Sequence, residues 1–321
     1  MTSAFAPWQQ RAYDQAAAQL DAGRLGHGLL FTGPAALGKR AVAERLAQRM
    51  LCIGEGERPC GGCRSCLLMA AGTHPDLHFV SFVLNKEGTR LRTELVIDQI
   101  RALSAKLVLT PQYGVAQVAI IDPADAINHA ACNGLLKTLE EPVPGRFLWL
   151  VTAHPMRLPA TIRSRCQRVE FRLPPADEAE AWLRSSVPNA GRADEALRAA
   201  RGHPGLAREW LADGGLALRA EVVGDLTAIG AGRAAPAEVA QRWTADGEAS
   251  LRLRFAAEIA LEDASQNLTD PHATRRLGRW FDHANRTREL LRTTVRTDLA
   301  VAELLMAWRG DTPRHGGGRK A

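Results

Sequence analysis

The sequence predicts a three-layer α/β domain with a parallel sheet up to about residue 172, followed by helical domains. In the first half of the 321-residue chain, five short apolar runs alternate with helical patterns. Apolar strands between helices are typical of a parallel sheet that helices cover on both faces. After LPPADEAE (173–180) the patterns are helical throughout, rich in Ala and Leu, with Arg and Glu on the polar faces.

Each element of the predicted sheet is a short apolar run. The five strand candidates are 28–33, 77–84, 117–122, 147–153 and 168–171. Between the third and fourth, Ile127, Ala131, Leu135 and Leu139 recur at every fourth position, which predicts a helix with one apolar stripe. Pro142 ends this helix.

Gly- and Pro-containing breaks predict how the chain divides. They fall at 201–205, 213–215 and 231–236. We expect an α/β domain over 1–172, a small helical domain over 173–211 and a second helical domain over 212–309. The basic, Gly-rich tail 310–321 has almost no apolar residues, so we expect it to be disordered.

Composition places the chain among ordinary globular proteins. Apolar residues make up 46% and charged residues 24% of the sequence, and the net charge of +6 mildly favours polyanionic partners. No apolar run approaches the ~18 residues that span a membrane. The N-terminus lacks the pattern of a signal peptide. We therefore expect a cytoplasmic protein with no membrane association.

The first strand runs into GPAALGKR (33–40), which reads as a phosphate-binding loop up to Lys39. Gly33, Gly38 and Lys39 stand between a strand and a helix, the context in which backbone N–H groups hold phosphate. The next position requires a Ser or Thr hydroxyl to hold Mg²⁺, and Arg40 offers no acceptor oxygen.

The third strand supplies the second half of a degenerate nucleotide site. It ends in Asp122, which suits a carboxylate facing a metal, but Pro123 replaces the acid that would orient an attacking water. Each piece alone occurs by chance, and an Asp at a strand end is often a helix cap. Their order on the expected elements favours a decayed nucleotide site.

Four of the six cysteines crowd into residues 52–66 with the spacing C-x7-C-x2-C-x2-C. Cys52, Cys60, Cys63 and Cys66 predict a structural tetrahedral Zn²⁺ site with no position left for substrate. Two alternatives stay open. One is a Cys3His site that uses His74. The other is disulfides, which are less consistent with a reducing compartment.

Three motifs carry a family resemblance. GTHPD (72–76), LLKTLEEP (135–142) and IRSRC (162–166) resemble the clamp-loader AAA+ ATPases of bacterial replication. The resemblance covers most of residues 20–210 by motif and the rest by architecture. It implies an AAA+ α/β domain, a helical lid and a helical collar, which match the boundaries above, and it places a zinc module at the four cysteines.

The departures from the family pattern imply which kind of member this is. The gamma and tau motor subunits are similar but keep an intact phosphate loop, an acidic pair after the third strand and an arginine in the lid. Arg40, Pro123 and Gly205 replace these features here. The resemblance therefore implies a subunit that does not hydrolyse ATP. Thr152 and Ala153 are both candidates for the sensor position after the fourth strand.

Arg165 in IRSRC is the candidate catalytic residue. The resemblance implies an arginine finger that acts in trans on a neighbouring ATPase subunit, and the alternative is a surface ion pair. Ser164 is expected to position the loop and Cys166 to pack. In LLKTLEEP, Lys137 and the two glutamates are expected on the exposed side of the helix, in an intersubunit contact or in solvent.

The resemblance thus implies a non-catalytic subunit of the clamp loader of DNA polymerase III, a hetero-oligomer within a nucleotidyltransferase assembly. Its expected partners are the gamma/tau and delta subunits and, through the complex, the sliding clamp and primed DNA. Two alternatives remain: a working gamma/tau-like ATPase for which Lys39 suffices, and an independent zinc-containing DNA-binding module.

Overall fold

The computed structural model describes residues 4–311 except 86, 115, 188, 189, 267, 292 and 294. Its internal contacts divide the chain into two compact units, Met1–Arg208 and Glu209–Ala321. No helix in the described part of the chain has the length and apolarity to cross a bilayer.

The first unit is built on a five-stranded sheet in which every neighbouring pair is parallel. The strands are β1 (Gly28–Thr32), β2 (Leu77–Val80), β3 (Gln117–Ile121), β4 (Arg146–Thr152) and β5 (Gln167–Glu170), in the order β2-β3-β4-β1-β5. All five predicted strands are confirmed, but the second ends earlier than predicted. Leu84 instead makes an isolated antiparallel bridge to Leu91, across a turn in which the Asn85 side chain accepts a hydrogen bond from the Thr89 N–H.

Helices cover both faces of this sheet. The unit contains α1 (Pro7–Asp21), α2 (Lys39–Leu51), α3 (Arg64–Ala70), α4 (Ile97–Val108), α5 (His129–Glu140), α6 (Ala160–Arg163), α7 (Ala176–Ser186), α8 (Ala193–Ala199) and the start of α9 (Pro204–Ala212). Leu29 and Phe31 pack with α1 and α2, whereas Leu30 between them packs with α4, α5 and α6. This alternation is the geometry of a strand covered on both faces, so the predicted three-layer arrangement is confirmed.

Helix α5 carries the predicted apolar stripe. Ala131, Leu135 and Leu139 are buried, and the helix begins where the Asn128 side chain accepts a hydrogen bond from the Ala131 N–H at 3.0 Å. The ring of His27 forms a hydrogen bond with the Leu139 carbonyl at 3.0 Å, which ties the end of α5 to the start of β1.

The strand register brings the carboxyl ends of β1, β3 and β4 side by side. Thr32 is aligned with Thr152, and Ile121 is aligned with Leu150. Because β4 lies between the other two strands, the loop after β1 and the residue after Ile121 meet at one edge of the sheet, where parallel α/β folds bind ligands.

The second unit is helical throughout its described residues. It contains α10 (Gly215–Gly230), α11 (Pro236–Thr244), α12 (Ala249–Gln266), α13 (Pro271–Leu290) and α14 (Thr297–Asp311). Its core includes an edge-to-face pair of Trp280 and Trp308 with ring centroids 4.7 Å apart, and both indoles donate hydrogen bonds to backbone carbonyls. The predicted limits at 172 and 211 stay predictions, and residues 312–321 of the predicted tail lie outside the described residues.

Leu135→Ala should lower the free energy of unfolding of the first unit by about 2–5 kcal/mol, because Leu135 is 1% exposed and its removal leaves a cavity under α5. Lys137→Ala, on the exposed face of the same helix, is the matched control and should change it by less than about 0.5 kcal/mol. Denaturant unfolding followed by tryptophan fluorescence measures both. Equal effects of the two variants would mean that α5 does not pack through this stripe.

Candidate functional site

The loop Gly33–Arg40 lies at the carboxyl edge of β1 and leads into α2. Gly33 and Gly38 have φ angles of 134° and 79°, which favour glycine. A Cβ on Gly33 would lie 2.1 Å from the Phe171 carbonyl oxygen, so no larger residue fits there. The predicted strand–loop–helix context of a phosphate loop is therefore present.

Lys39 turns back onto the loop that precedes it. Its ammonium donates hydrogen bonds to the carbonyl oxygens of Gly33 and Pro34 at 2.8 and 2.6 Å, and the residue is only 6% exposed. Burial lowers the pKa of Lys39 to about 8, against the opposing effects of Asp122 and Asp125. Two of its three N–H donors are thus committed to the protein's own backbone.

Arg40 lies beside Asp122, the carboxylate that the sequence predicts to face a metal. Its guanidinium lies 2.7 Å from a Glu44 carboxylate oxygen and 3.9 Å from one of Asp122, and it stacks on the Phe79 ring at 5.1 Å from the centroid. Burial raises the pKa of Asp122, while Arg40 and Lys39 oppose this shift. The carboxylate predicted to face a metal therefore faces a guanidinium.

The sensor position at the end of β4 is held by an aspartate. Thr152 is 1% exposed, and its hydroxyl donates to Asp125 at 2.5 Å and accepts from the His154 N–H at 3.0 Å. The Ala153 N–H also donates to Asp125, at 3.2 Å. Both sensor candidates are therefore bound to the same carboxylate, and it is the Thr152 hydroxyl that lies buried at the edge of the sheet.

Two helices hold the loop from outside. The Leu37 carbonyl accepts hydrogen bonds from the side chains of Trp8 and Gln9 in α1, at 3.1 and 3.0 Å. At the start of α9, a Cβ on Gly205 would lie 1.9 Å from the Ala36 carbonyl oxygen. Gly205 thus has two effects: it removes the lid arginine, and it lets α9 pack closely on the loop. Any side chain at this position would force α9 away from the loop.

The four predicted metal ligands come together. The Sγ atoms of Cys52, Cys60, Cys63 and Cys66 lie within 4.8 Å of one another, and those of Cys52 and Cys63 are 3.9 Å apart. Tetrahedral Zn²⁺ with Zn–S bonds of ~2.3 Å places sulfur atoms about 3.8 Å apart. All four are free cysteines. The spacing therefore fits a metal, and disulfides are excluded.

Backbone N–H groups point at these sulfur atoms. Those of Cys60, Cys63 and Cys66 donate to the Sγ atoms of Cys52, Cys60 and Cys63 respectively, at 3.3–3.4 Å. Although burial opposes the shift, backbone N–H groups including that of Cys66 lower the pKa of Cys63 to about 6. A thiolate is the form that binds a metal.

His74 does not join the cysteine cluster. Its Nδ1 accepts a hydrogen bond from the Asp76 N–H at 3.1 Å, and its Nε2 lies 2.9 Å from the Ser65 hydroxyl. Burial lowers the pKa of His74, which keeps the ring neutral. Both ring nitrogens are engaged, so the Cys3His alternative is wrong.

Arg165 lies in the loop between α6 and β5, with 37% of its side chain exposed. It donates to the Thr161 carbonyl oxygen at 2.9 Å, and it forms an ion pair with Glu140 at 2.7 Å. Cys166 beside it is buried in the core, as predicted. The glutamates and Lys137 of LLKTLEEP are exposed.

Sequence reasoning missed the partners of these residues. Gln9 lies 28 positions from Leu37, and Glu140 lies 25 positions from Arg165, so no local pattern links them. The role of Asp125 could have been predicted from the sequence, because it stands three residues after Asp122 at the same edge of the sheet.

Comparison with known proteins identifies the family. The family described as "DNA polymerase III, delta subunit" matches residues 8–175. DNA polymerase III subunit delta' of Pseudomonas aeruginosa is 36% identical over 74% of this chain and 70% of its own length. The same subunit of Escherichia coli is 36% identical over 63% of this chain and 59% of its own length.

A solved structure agrees with the fold. A DNA polymerase III gamma subunit-related protein of Thermotoga maritima aligns over 93% of this chain and all of its own, with a TM-score of 0.53 and 16% identity. This likeness confirms the predicted α/β AAA+ fold with a helical C-terminal region. The sequence matches mean that the chain belongs to the family of DNA polymerase III delta-prime subunits.

Proposed function

We propose that the chain is a non-hydrolysing subunit of a bacterial clamp loader and that it supplies Arg165 to a neighbouring ATPase subunit. In this role it binds the gamma/tau and delta subunits and, through the complex, acts on the sliding clamp and primed DNA. A cytoplasmic location follows from this role and stays a prediction.

The observation that carries the proposal is the position of Arg40. A magnesium ion at this site needs about six oxygen ligands at ~2.0–2.1 Å, one of them the hydroxyl that Arg40 replaces. Arg40 already lies against Asp122 and Glu44. The bonds from Lys39 to the loop carbonyls and the contact between Gly205 and Ala36 support the same conclusion.

The exposed end of the Arg165 side chain supports a role towards a neighbour. A guanidinium presents planar pairs of N–H donors that match two phosphate oxygens, and it stabilises the charge that develops during phosphoryl transfer. Because the chain's own phosphate loop is degenerate, Arg165 has no substrate within its own chain. This favours action in trans, on the neighbouring subunit.

We also propose that Cys52, Cys60, Cys63 and Cys66 hold one structural Zn²⁺. Its chemistry there is to tie the end of α2 to the start of α3 through four thiolates, without a position for substrate. The sulfur spacing and the N–H···S hydrogen bonds support this assignment.

The isolated chain should show no ATP turnover above background, because Arg40, Pro123 and Gly205 replace parts of the hydrolytic apparatus. Arg40→Thr alone should not restore turnover, since the water-orienting acid is still missing and Gly205 still leaves no room for a lid arginine. A phosphate-release assay at saturating Mg-ATP measures both. Turnover comparable with that of motor subunits and abolished by Lys39→Ala would favour the gamma/tau-like alternative.

Elemental analysis of the chain purified without chelator should find one zinc per molecule. Cys63→Ser should lower the zinc content and loosen residues 52–66 in hydrogen exchange while the sheet stays protected, because the module is inserted between α2 and β2. Cys132→Ser is the matched control, since this buried cysteine lies on α5 outside the cluster. Zinc-free wild-type protein would contradict the assignment.

Arg165→Ala should leave folding and complex assembly intact and slow ATP hydrolysis at the motor site that faces this chain. A finger is worth ~10³–10⁵ in rate at its own site. Total DNA-stimulated ATPase should fall only partly, because other sites have other fingers, and clamp loading should fall further if it requires all sites. Arg165→Lys should rescue poorly, since an ammonium lacks the planar fork.

The matched control for this prediction is Arg163→Ala, two residues away, whose guanidinium contacts Met156. It should leave both rates unchanged. If Arg165→Ala also leaves ATPase and clamp loading unchanged in a verified complex, the finger assignment is wrong.

A further inference from the structure

Glu140 is the last residue of α5 and is the carboxylate that contacts Arg165. Its Oε1 lies 2.7 Å from the Arg165 Nη2, while the Arg165 Nη1 donates to the Thr161 carbonyl oxygen at 2.9 Å. The two contacts, one hydrogen bond and one ion pair, involve both terminal nitrogens of the guanidinium and restrain its position.

The position of Glu140 in its helix is not explained by helix stability. The carboxyl end of a helix carries partial negative charge, so a carboxylate in its last turn is unfavourable by about 0.3–1 kcal/mol. Lys137 is the basic residue of this turn and suits the dipole. The ion pair with Arg165 offsets part of this cost.

The residues on both sides of the ion pair lie close to the start of β1. A Cβ on Gly28 would lie 3.0 Å from Leu139 Cδ2 and 3.2 Å from the Arg165 carbonyl oxygen. Leu139, which precedes Glu140, and Arg165 itself thus both lie against Gly28, the first residue of β1. Because the Leu139 carbonyl also bonds to the His27 ring just before β1, the ion pair restrains the Arg165 side chain relative to the sheet.

The restraint leaves the guanidinium able to bind an anion. Arginine has five N–H donors, and among the described residues the only hydrogen bond of the Arg165 side chain goes to the Thr161 carbonyl oxygen. The ion pair with Glu140 therefore leaves donors for a phosphate. An arginine side chain carries roughly 2 kcal/mol of rotamer entropy, and an arginine already held in position loses less of it when it binds phosphate.

We propose that Glu140 is a positioning residue for Arg165: it holds the guanidinium in the orientation in which it meets the phosphates of the neighbouring subunit. This inference rests on the proposed function of Arg165. Glu140 is 47% exposed, so solvent screens the effect of its charge on a distant phosphate, whereas the ion pair at 2.7 Å still favours one position of the guanidinium. The net effect of Glu140 on hydrolysis is therefore favourable.

The test uses the clamp-loader complex assembled with its motor and delta subunits, the sliding clamp and primed DNA. Single-turnover ATP hydrolysis resolves the site facing this chain as a separate slow phase in Arg165→Ala. Glu140→Ala should slow the same phase by about two- to fivefold, the size expected for a partly exposed ion pair. The KM for ATP should not change, because Glu140 orients the finger without contacting the nucleotide.

Three further variants make the result specific. Glu140→Asp keeps the charge that pairs with Arg165 and should recover part of the rate. Glu140→Ala should have no additional effect in the Arg165→Ala background, because it acts through Arg165. Asp98→Ala is the control, since it removes one negative charge from an 86% exposed position on α4 and should leave the rate unchanged. Assembly and thermal unfolding of each variant check that the fold is intact.

The outcomes separate the two hypotheses. An Arg165→Ala complex with normal rates overturns the proposed finger. A slow Arg165→Ala complex with a normal Glu140→Ala complex overturns the role of Glu140 alone. A faster Glu140→Ala complex, or an additional loss in the double variant, also overturns it, since Glu140 would then restrain the finger from acting or act elsewhere.

Discussion

A buried ammonium at the edge of the sheet determines how the candidate site is organised. Lys39 is 6% exposed, and an unpaired charge in such surroundings is costly, so the group must find acceptors within the protein. It finds them in the carbonyls of Gly33 and Pro34. The loop is thereby closed on the lysine that in a working site would be available to phosphate, and α2 is tied to the end of β1.

Arg40 completes this arrangement by supplying positive charge where a working site has a metal. A guanidinium is a monovalent cation attached to the chain, so it offsets part of the negative charge of Asp122 and Glu44 whether or not nucleotide is bound. The loop also lies between α1, through Gln9, and α9, through Gly205. The electrostatic and steric features agree, since the loop that lacks the hydroxyl also bonds its lysine to its own carbonyls and contacts both helices.

The parts of this molecule that could be predicted from the sequence are those with local patterns. The five strands, the stripe on α5 and the cysteine cluster depend on spacing within a few to fifteen residues, and the structure contains them all. The contacts of Gln9 with Leu37 and of Glu140 with Arg165 depend on where the sheet brings distant segments together. The end of β2 at Val80 was missed because the apolar run continues to Leu84, where pairing moves to a local turn.

The fixed loop bears on how Arg165 is delivered. A ligand changes a protein's conformation only by binding two states with different affinities. On the proposed function, the chain hydrolyses no nucleotide, and Lys39 and Arg40 already have partners within the protein. The backbone of Arg165 lies close to Gly28 at the start of β1. The same proposal therefore assigns the movement that brings phosphates and finger together to the neighbouring subunit, with this chain as the reference against which that subunit closes.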